Sequence, residues 1–241
     1  NMLDMAGLPV LSSERGDDAP LVIAGGSCAL NPEPMSDFID LFVIGDGEEV
    51  LMELLKALRS FKKKCRTGKT ELLRHLAQIQ GVYIPAFYDV SYNDDGTVSS
   101  LKPKFSDIPS VVSRRIIAEL APVVTRPVVP YIATIHDRAM IEIQRGCTRG
   151  CRFCNAGMIY RPVRERTCDE VLCAIDELLK STGYNEISLL SLSTSDYSDI
   201  EGLIKAINLR YRDGNLKISL PSLRLDSFSV GLMDAITAGK K

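Results

Sequence analysis

The chain has 241 residues, of which 45% are hydrophobic, enough for one large domain or two small ones. The formal net charge is −2 and the pI is about 5.8, which excludes an overall basic field of the kind that attracts nucleic acids or anionic membranes. No apolar run approaches the length of a membrane span and no segment resembles a signal peptide, so we expect a cytoplasmic protein without a membrane partner. Thiols stay reduced there, and the seven cysteines therefore favour metal binding or redox chemistry over disulfides.

Residues 1–80 carry the pattern of an α/β domain with glycine turns. Apolar runs at 20–30 (PLVIAGGSCAL) and 40–49 (DLFVIGDGEE) predict two buried strands, and a helix is predicted after the second. The turns Gly25-Gly26 and Gly45-x-Gly47 stand at strand carboxyl ends, where such sheets place ligand loops, although a tight turn alone also explains glycine there. The chain opens in helical rhythm without a lead-in or cap, so we interpret it as a fragment of a longer protein.

Two further regions follow. Residues 81–138 alternate apolar and polar around Asp95-Gly96 and then become rich in proline, which predicts a linker with a small β-hairpin. Residues 139–241 predict the order βαβαβα, with short apolar strands and helices that carry leucine and isoleucine at spacings of three and four. Such alternation is typical of a parallel sheet with right-handed crossovers.

The stretch IEIQRGCTRGCRFCNAGMIYRP at 141–162 places Cys147, Cys151 and Cys154 within eight positions, directly after the first strand of this series. The thiols are therefore expected at the carboxyl edge of the sheet, where α/β barrels gather their active sites. Arginines alternate with the cysteines, and their charge would favour the thiolate form that binds metals.

The spacing leaves the metal open. A structural zinc site normally has four ligands, and His136 is a candidate for the fourth. A four-thiolate iron–sulfur cluster would need Cys168 or Cys173, but we expect Cys173 to be buried in a helix core as a small hydrophobic residue. An iron–sulfur cluster with three protein ligands and one open iron fits the sequence better.

The loop CTRGCRFC resembles the CxxxCxΦC signature of the radical S-adenosylmethionine superfamily, with Phe153 as the aromatic residue. The resemblance implies a [4Fe-4S] cluster on the three cysteines, an open iron that chelates S-adenosylmethionine, and Phe153 beside the cofactor. The implied reaction is reductive cleavage of S-adenosylmethionine to a 5′-deoxyadenosyl radical, or its use in methyl or methylthio transfer, on an unknown substrate. It implies no catalytic residue beyond the cluster ligands, and an electron donor such as flavodoxin or ferredoxin.

The same resemblance suggests further residues that bind S-adenosylmethionine. Members of the superfamily carry a Gly-Gly-Glu-like turn after the second strand, which receives the amino group; this sequence departs from it, with candidates at Ser191, Ser193, Ser195 and Asp196. A plain capping turn before a helix at Ser198 is the alternative. Arg224, after the third strand, is suited to a bidentate pair with a carboxylate, or is a surface arginine. The run RPVRER at 161–166 places Arg161, Arg164 and Arg166 next to the site, where they could bind an anionic substrate or face solvent.

The upstream region resembles the last strands of the cobalamin-binding domain found in one branch of the superfamily. It implies that 1–80 are the C-terminal portion of a Rossmann-like cobalamin-type domain and that 139–241 are the first three βα units of a partial (β/α) barrel. Cobalamin is a further candidate cofactor, although the chain has no Asp-x-His-x-x-Gly loop. The alternatives are a non-catalytic iron–sulfur or zinc-binding protein, and a module that binds nucleotide through the glycine turns. We expect the isolated chain to bind iron and sulfide but to turn over poorly.

Overall fold

The computed structural model describes residues 1–63, 68–132, 134–135, 137–212, 214–227 and 229–238. The chain divides into two compact units, Asn1–Ile117 and Ala118–Lys241. Within the described residues, no helix is both long enough and apolar enough to cross a membrane. The mixed α/β character expected from the sequence is confirmed in both units.

The first unit is built on a small mixed sheet. After helix α1 (Met2–Met5), strand β1 (Ile23–Ala24) runs parallel to β2 (Leu41–Val43), and β2 pairs antiparallel with β3 (Val82–Tyr83). Helices α2 (Gly47–Lys63) and α3 (Lys69–Leu76) lie between β2 and β3 in the chain. The two strands and the helix predicted within 20–63 are therefore present, whereas β3 falls in the region assigned to the linker.

The hairpin predicted around Asp95-Gly96 is confirmed. Strands β4 (Tyr88–Tyr92) and β5 (Val98–Pro103) pair antiparallel, and Gly96 at the turn has φ +81°. Apolar side chains from β3 to beyond the hairpin pack into the core of the first unit, among them Ile84, Phe87 and Ile108. Because of this packing, the first compact unit continues past residue 80 to Ile117.

The glycine turn after β2 is filled by the chain's own backbone. Gly45 has φ +108°, and a Cβ at this position would lie 2.1 Å from the carbonyl oxygen of Arg115. The Arg115 N–H donates to the Ile44 carbonyl at 2.7 Å, and the Asp46 N–H donates to the Arg115 carbonyl at 2.9 Å. Glycine at 45 is thus required by a close approach within the unit, which favours the tight-turn interpretation over a ligand loop.

A buried charged cluster ties the N-terminal segment to this sheet. The Asp40 carboxylate accepts from the Arg15 Nε at 3.2 Å, from the Lys69 Nζ at 2.8 Å and from the Val22 N–H at 2.7 Å. The Arg15 side chain is fully buried, and its other N–H groups donate to carbonyls of Pro9, Val10 and Phe38. Nothing in the sequence pattern predicted this cluster.

The second unit contains the predicted βαβαβα order, together with three short elements that were not predicted. Its elements, in chain order, are β6 (Ala139–Glu142), β7 (Gln144–Arg145), α4 (Ala156–Ile159), β8 (Arg164–Glu165), α5 (Cys168–Thr182), β9 (Glu186–Leu190), α6 (Ile200–Arg210), β10 (Lys217–Ser219) and α7 (Val230–Ala238). The predicted order is that of β6, α5, β9, α6, β10 and α7, and the three short elements are β7, α4 and β8. Strands β6, β9 and β10 form a parallel sheet in the order β10-β9-β6. The short strands β7 and β8 pair antiparallel beside the cysteine loop.

Helix α5 shows why these segments fold locally. Thr167 and Glu170 form a capping box at its start, and Gly183 ends it in the left-handed conformation. Its apolar stripe, including Val171, Ile175 and Leu178, is buried against the sheet. Cys173 is exposed, so the expectation that it lies in the helix core is wrong: the adjacent Ala174 and Ile175 take the buried positions of that turn.

Candidate functional site

The candidate site lies where three loops meet at the carboxyl edge of the parallel sheet. One loop carries the cysteines after β6 and β7, the second follows β9 and the third follows β10. Parallel strands place their carboxyl ends at one edge, as the sequence predicted. The cysteine loop bonds both of the others: Arg149 bonds Asp196 of the second loop, and Cys151 accepts a hydrogen bond from Arg224 of the third. The predicted residues on all three loops therefore belong to one region.

The cysteine loop is shaped by glycine. Gly146 has φ +91°, and a Cβ there would lie 2.6 Å from the carbonyl oxygens of Tyr160 and Pro162. Only glycine lets the returning chain cross so closely behind the first cysteine. The Arg161 Nε then donates to the Cys147 carbonyl at 3.3 Å, which holds the two ends of the loop together.

The three thiols of the loop are similarly accessible. Cys147, Cys151 and Cys154 are all half-buried and free. The Cys151 Sγ accepts a hydrogen bond from the Arg224 Nη1 at 3.3 Å. Three thiols on one loop at a sheet edge match in type the donors that an iron–sulfur cluster takes, and in number they are one short of a cluster held by four thiolates.

Of the fourth-ligand candidates, the structure describes only Cys168 and Cys173. His136 lies outside the described residues, and Cys173 points to solvent on α5. Burial raises the pKa of the Cys168 thiol, with Asp169 and Asp199 adding to the effect, which disfavours the thiolate there. Among the residues that the structure describes, no group of three His, Cys, Asp or Glu side chains converges on a position for one metal ion. The thiolates of a cubane cluster need not converge on one position, because each of them binds a separate iron atom.

Charged residues of all three loops form a network beside the thiols. The Arg149 Nε donates to the Asp196 Oδ2 at 2.8 Å, and its Nη2 bonds Oδ1 of the same carboxylate. Hydrogen bonds from Arg149 lower the pKa of Asp196 to about 2, and the hydrogen bond from Ser193 lowers this pKa to a smaller extent. The Arg149 Nη1 also lies 3.8 Å from the Asp226 Oδ2. Asp196 is thus a fixed negative charge next to the cysteine loop.

The serine turn after β9 holds the third loop in place. The Thr194 N–H donates to the Ser222 carbonyl at 3.1 Å, and its hydroxyl donates to the Pro221 carbonyl at 2.6 Å. The Ser195 Oγ accepts from the Arg224 N–H at 3.1 Å. Helix α6 is capped instead by Asp199, whose carboxylate accepts from the Gly202 N–H at 3.0 Å. The interpretation of the serines as a helix cap is therefore wrong.

The remaining candidates differ in exposure and partners. The Ser193 hydroxyl donates to the Asp196 Oδ2 at 2.7 Å, and Ser191 lies 3.1 Å from the Thr194 hydroxyl. Phe153 is 92% exposed. Of the arginines in 161–166, Arg164 and Arg166 are buried and bond backbone carbonyls, so they serve the fold rather than solvent.

A cavity of about 370 Å³ opens at the same edge, beside Gly146. Ser191 is the one predicted residue in its lining, together with Gln144, Tyr160 and the ion pair that Arg145 forms with Glu142 at 2.8 Å. Gln144 is buried and its Nε2 donates to the Glu165 Oε1 at 3.1 Å. Gln144 and Tyr160 were not predicted; the signal that could have identified them is their place in the chain, with Gln144 three positions before Cys147 and Tyr160 six positions after Cys154.

Comparison with known proteins gives consistent matches. The family model described as "Radical SAM proteins, N-terminal" matches residues 1–85. The family model described as "Radical SAM superfamily" matches residues 141–237. The uncharacterized protein MJ0966 of Methanocaldococcus jannaschii is 28% identical over 221 residues, which cover 88% of this chain and 40% of that protein. The tRNA-2-methylthio-N(6)-dimethylallyladenosine synthase of Staphylococcus epidermidis is 30% identical over 96 residues, 39% of this chain and 18% of the synthase.

Two solved structures share the fold. Both are of the radical S-adenosylmethionine methyltransferase TsrM from Kitasatospora setae, one with cobalamin and a [4Fe-4S] cluster bound and one with tryptophan substrate and the analogue aza-SAM. The TM-score is 0.52 for each, at 16% and 17% identity, over 92% and 91% of this chain. The chain spans about two fifths of TsrM and of MJ0966.

Proposed function

Because the chain belongs to the radical S-adenosylmethionine superfamily, we propose that Cys147, Cys151 and Cys154 hold a [4Fe-4S] cluster whose open iron binds S-adenosylmethionine. The observation that carries the proposal is the set of three half-buried thiols on one loop, bordered by the charged loops after β9 and β10. The bound cluster would supply the electron that cleaves S-adenosylmethionine to methionine and a 5′-deoxyadenosyl radical, or would support methyl or methylthio transfer.

The surrounding residues suit the two charged ends of the methionine moiety. Asp196 stays ionised at neutral pH, and its carboxylate is suited to accept from an ammonium group, with hydroxyls of Ser191, Ser193 and Ser195 nearby. The guanidinium of Arg224 is the cation on the loop after β10, and a cofactor carboxylate would pair with it in a bidentate way by replacing Asp226. Phe153, exposed on the cysteine loop, offers an aromatic surface beside the cofactor.

The wider assignments belong to the same proposal. Residues 139–241 would be the first three βα units of a partial barrel, which the parallel order β10-β9-β6 supports. Residues 1–80 would be the C-terminal portion of a Rossmann-like cobalamin-type domain, joined to the barrel through 81–138. Likeness to TsrM, whose structure contains cobalamin, supports cobalamin as a further cofactor. We further propose a cytoplasmic enzyme with a flavodoxin or ferredoxin donor; the substrate stays open.

Anaerobic reconstitution tests the proposal. Residues 1–241 supplied with iron and sulfide should form one cubane cluster, measured by iron and sulfide content and by EPR after reduction. Each of Cys147→Ala, Cys151→Ala and Cys154→Ala should abolish it. The matched control Cys173→Ala, at an exposed thiol outside the loop, should leave it intact.

The response to S-adenosylmethionine separates this function from its alternative. An open iron should change its EPR signal when S-adenosylmethionine is added, whereas a four-thiolate cluster or a zinc site should not respond. A cluster that ignores S-adenosylmethionine would favour the non-catalytic iron–sulfur protein, and bound zinc without iron would favour the zinc protein. Multiple turnover by residues 1–241 would contradict the expectation that this chain turns over poorly.

A further inference from the structure

Arg224 is held rigidly next to a cluster ligand. Its Nε and Nη2 donate to the two carboxylate oxygens of Asp226 at 2.9 and 2.8 Å, and its backbone N–H donates to the Ser195 Oγ at 3.1 Å. These contacts leave the Nη1 directed at the Cys151 Sγ, 3.3 Å away. The protein itself therefore orients the guanidinium. The two N–H groups that could bind a cofactor carboxylate in a bidentate pair, on Nε and Nη2, already donate to Asp226.

A network of ion pairs lies beside Cys151. Two cations, Arg149 and Arg224, face two carboxylates, Asp196 and Asp226, across the three loops. The guanidinium of Arg224 stays charged at every accessible pH. Its removal would leave this network of four side chains with a net negative charge.

We propose that Arg224 is a positioning residue that acts on the cluster through Cys151, an inference that rests on the proposed function. Arg224 donates a hydrogen bond to the Cys151 Sγ and thereby raises the reduction potential of the cluster. Reduction adds one electron to the cluster and so increases the negative charge on its sulfurs. A donor fixed on one of these sulfurs stabilises the reduced form more than the oxidised form. Arg224 thereby eases the step that an external reductant must carry out, and it is less available for the carboxylate of S-adenosylmethionine.

An EPR-monitored redox titration of the reconstituted chain tests this role, with dithionite as the one-electron reductant and no S-adenosylmethionine present. Arg224→Met should lower the equilibrium constant for reduction about tenfold, a fall of about 59 mV for a one-electron couple. Arg224→Lys keeps the charge without the fork and should give a smaller fall. The matched control is Arg210→Met, which removes an arginine with a bidentate carboxylate partner, Asp176, on another part of the same unit. It should leave the potential unchanged.

Each other outcome has a definite meaning. A potential in Arg224→Met equal to that of the control overturns the inference while the proposed function stands. Weaker binding of S-adenosylmethionine in Arg224→Met with an unchanged potential would assign Arg224 to the cofactor carboxylate instead. If Arg224→Met fails to assemble a cluster, the lysine variant decides, and an unchanged potential there overturns the inference. Absence of a cluster in the unmodified chain overturns both proposals together.

Discussion

Arg149 of the cysteine loop and Asp196 of the loop after β9 form a bidentate ion pair, with the Nε 2.8 Å from Oδ2. The pair links the segment that carries the thiols to the segment proposed to bind the ammonium group of the cofactor. Asp196 is mostly buried while Arg149 is 39% exposed, so solvent screens the ion pair and its contribution to stability is small. Its main effect is to fix the position of the carboxylate.

We predict that this pair makes stability depend on acid pH. The pKa of Asp196 is lowered to about 2 in the folded chain, chiefly by Arg149, whereas an unfolded aspartate titrates near about 3.9. A depressed pKa contributes stability above the unfolded value, and this is lost as the pH falls toward about 2. Thermal unfolding of the unmodified chain and of Asp196→Asn should therefore differ at neutral pH, and this difference should shrink as the pH falls from about 4 toward about 2. A difference that does not change with pH would contradict the assignment.

Gly146→Ala should destabilise the second unit and distort the cysteine loop. The new Cβ would meet two carbonyl oxygens at 2.6 Å in a backbone with φ +91°, and we expect a loss of about 2 kcal/mol or more in urea unfolding. Gly150→Ala is the matched control, because φ is also positive there but the nearest atom is 3.6 Å away. The control should cost about 1 kcal/mol. Equal losses would mean that the close approach of Tyr160 and Pro162 is not what requires glycine.

Asp40→Ala should be among the most damaging changes in the first unit. It would leave the Arg15 guanidinium buried without its carboxylate, which typically costs about 3–5 kcal/mol. Asp89→Ala removes an aspartate that is 76% exposed and lies 3.7 Å from Lys104, and should change the free energy of unfolding by no more than about 0.5 kcal/mol. Chemical denaturation of both variants measures the contrast, and similar losses would argue against the buried cluster.

Thr194→Val should loosen the loop after β10 while keeping the shape of the side chain. Thr194 is fully buried, and its hydroxyl donates to the Pro221 carbonyl at 2.6 Å. Loss of this donor should cost about 1–2 kcal/mol. Hydrogen exchange should accelerate at the Arg224 N–H, which depends on the adjacent Ser195. Ser198→Ala, at an exposed position in the same connection, is the control and should leave that exchange rate unchanged.

The elements that the sequence predicted are those specified by neighbours along the chain. Helix α5 has a capping box at Thr167, an apolar stripe and a terminal Gly183, and all three signals lie within its own segment. The hairpin at Asp95-Gly96 is likewise local. Strand β3 escaped prediction because Val82–Tyr83 is short and acquires its role only by pairing with β2.

The candidate site was also predicted only in its local part. Cysteine spacing identified the loop, but the partners of Asp196 and Arg224 depend on contacts between loops that no periodicity encodes. The wrong assignment of Cys173 has a different origin. An isolated cysteine in an apolar helix satisfies the pattern of a core position whether or not it faces the sheet, and only the three-dimensional packing decides which neighbour is buried.

The pairing of Ala139 with Ile187 has a kinetic consequence. It joins residues about fifty positions apart, and the intervening chain contains the whole cysteine loop together with α5. Closing so long a segment costs entropy before any contact repays it, so the docking of β6 on β9 should be the slow step in the maturation of this unit. Until β6 pairs with β9, the sheet does not hold the cysteine loop in position. We therefore expect cluster assembly to follow this step.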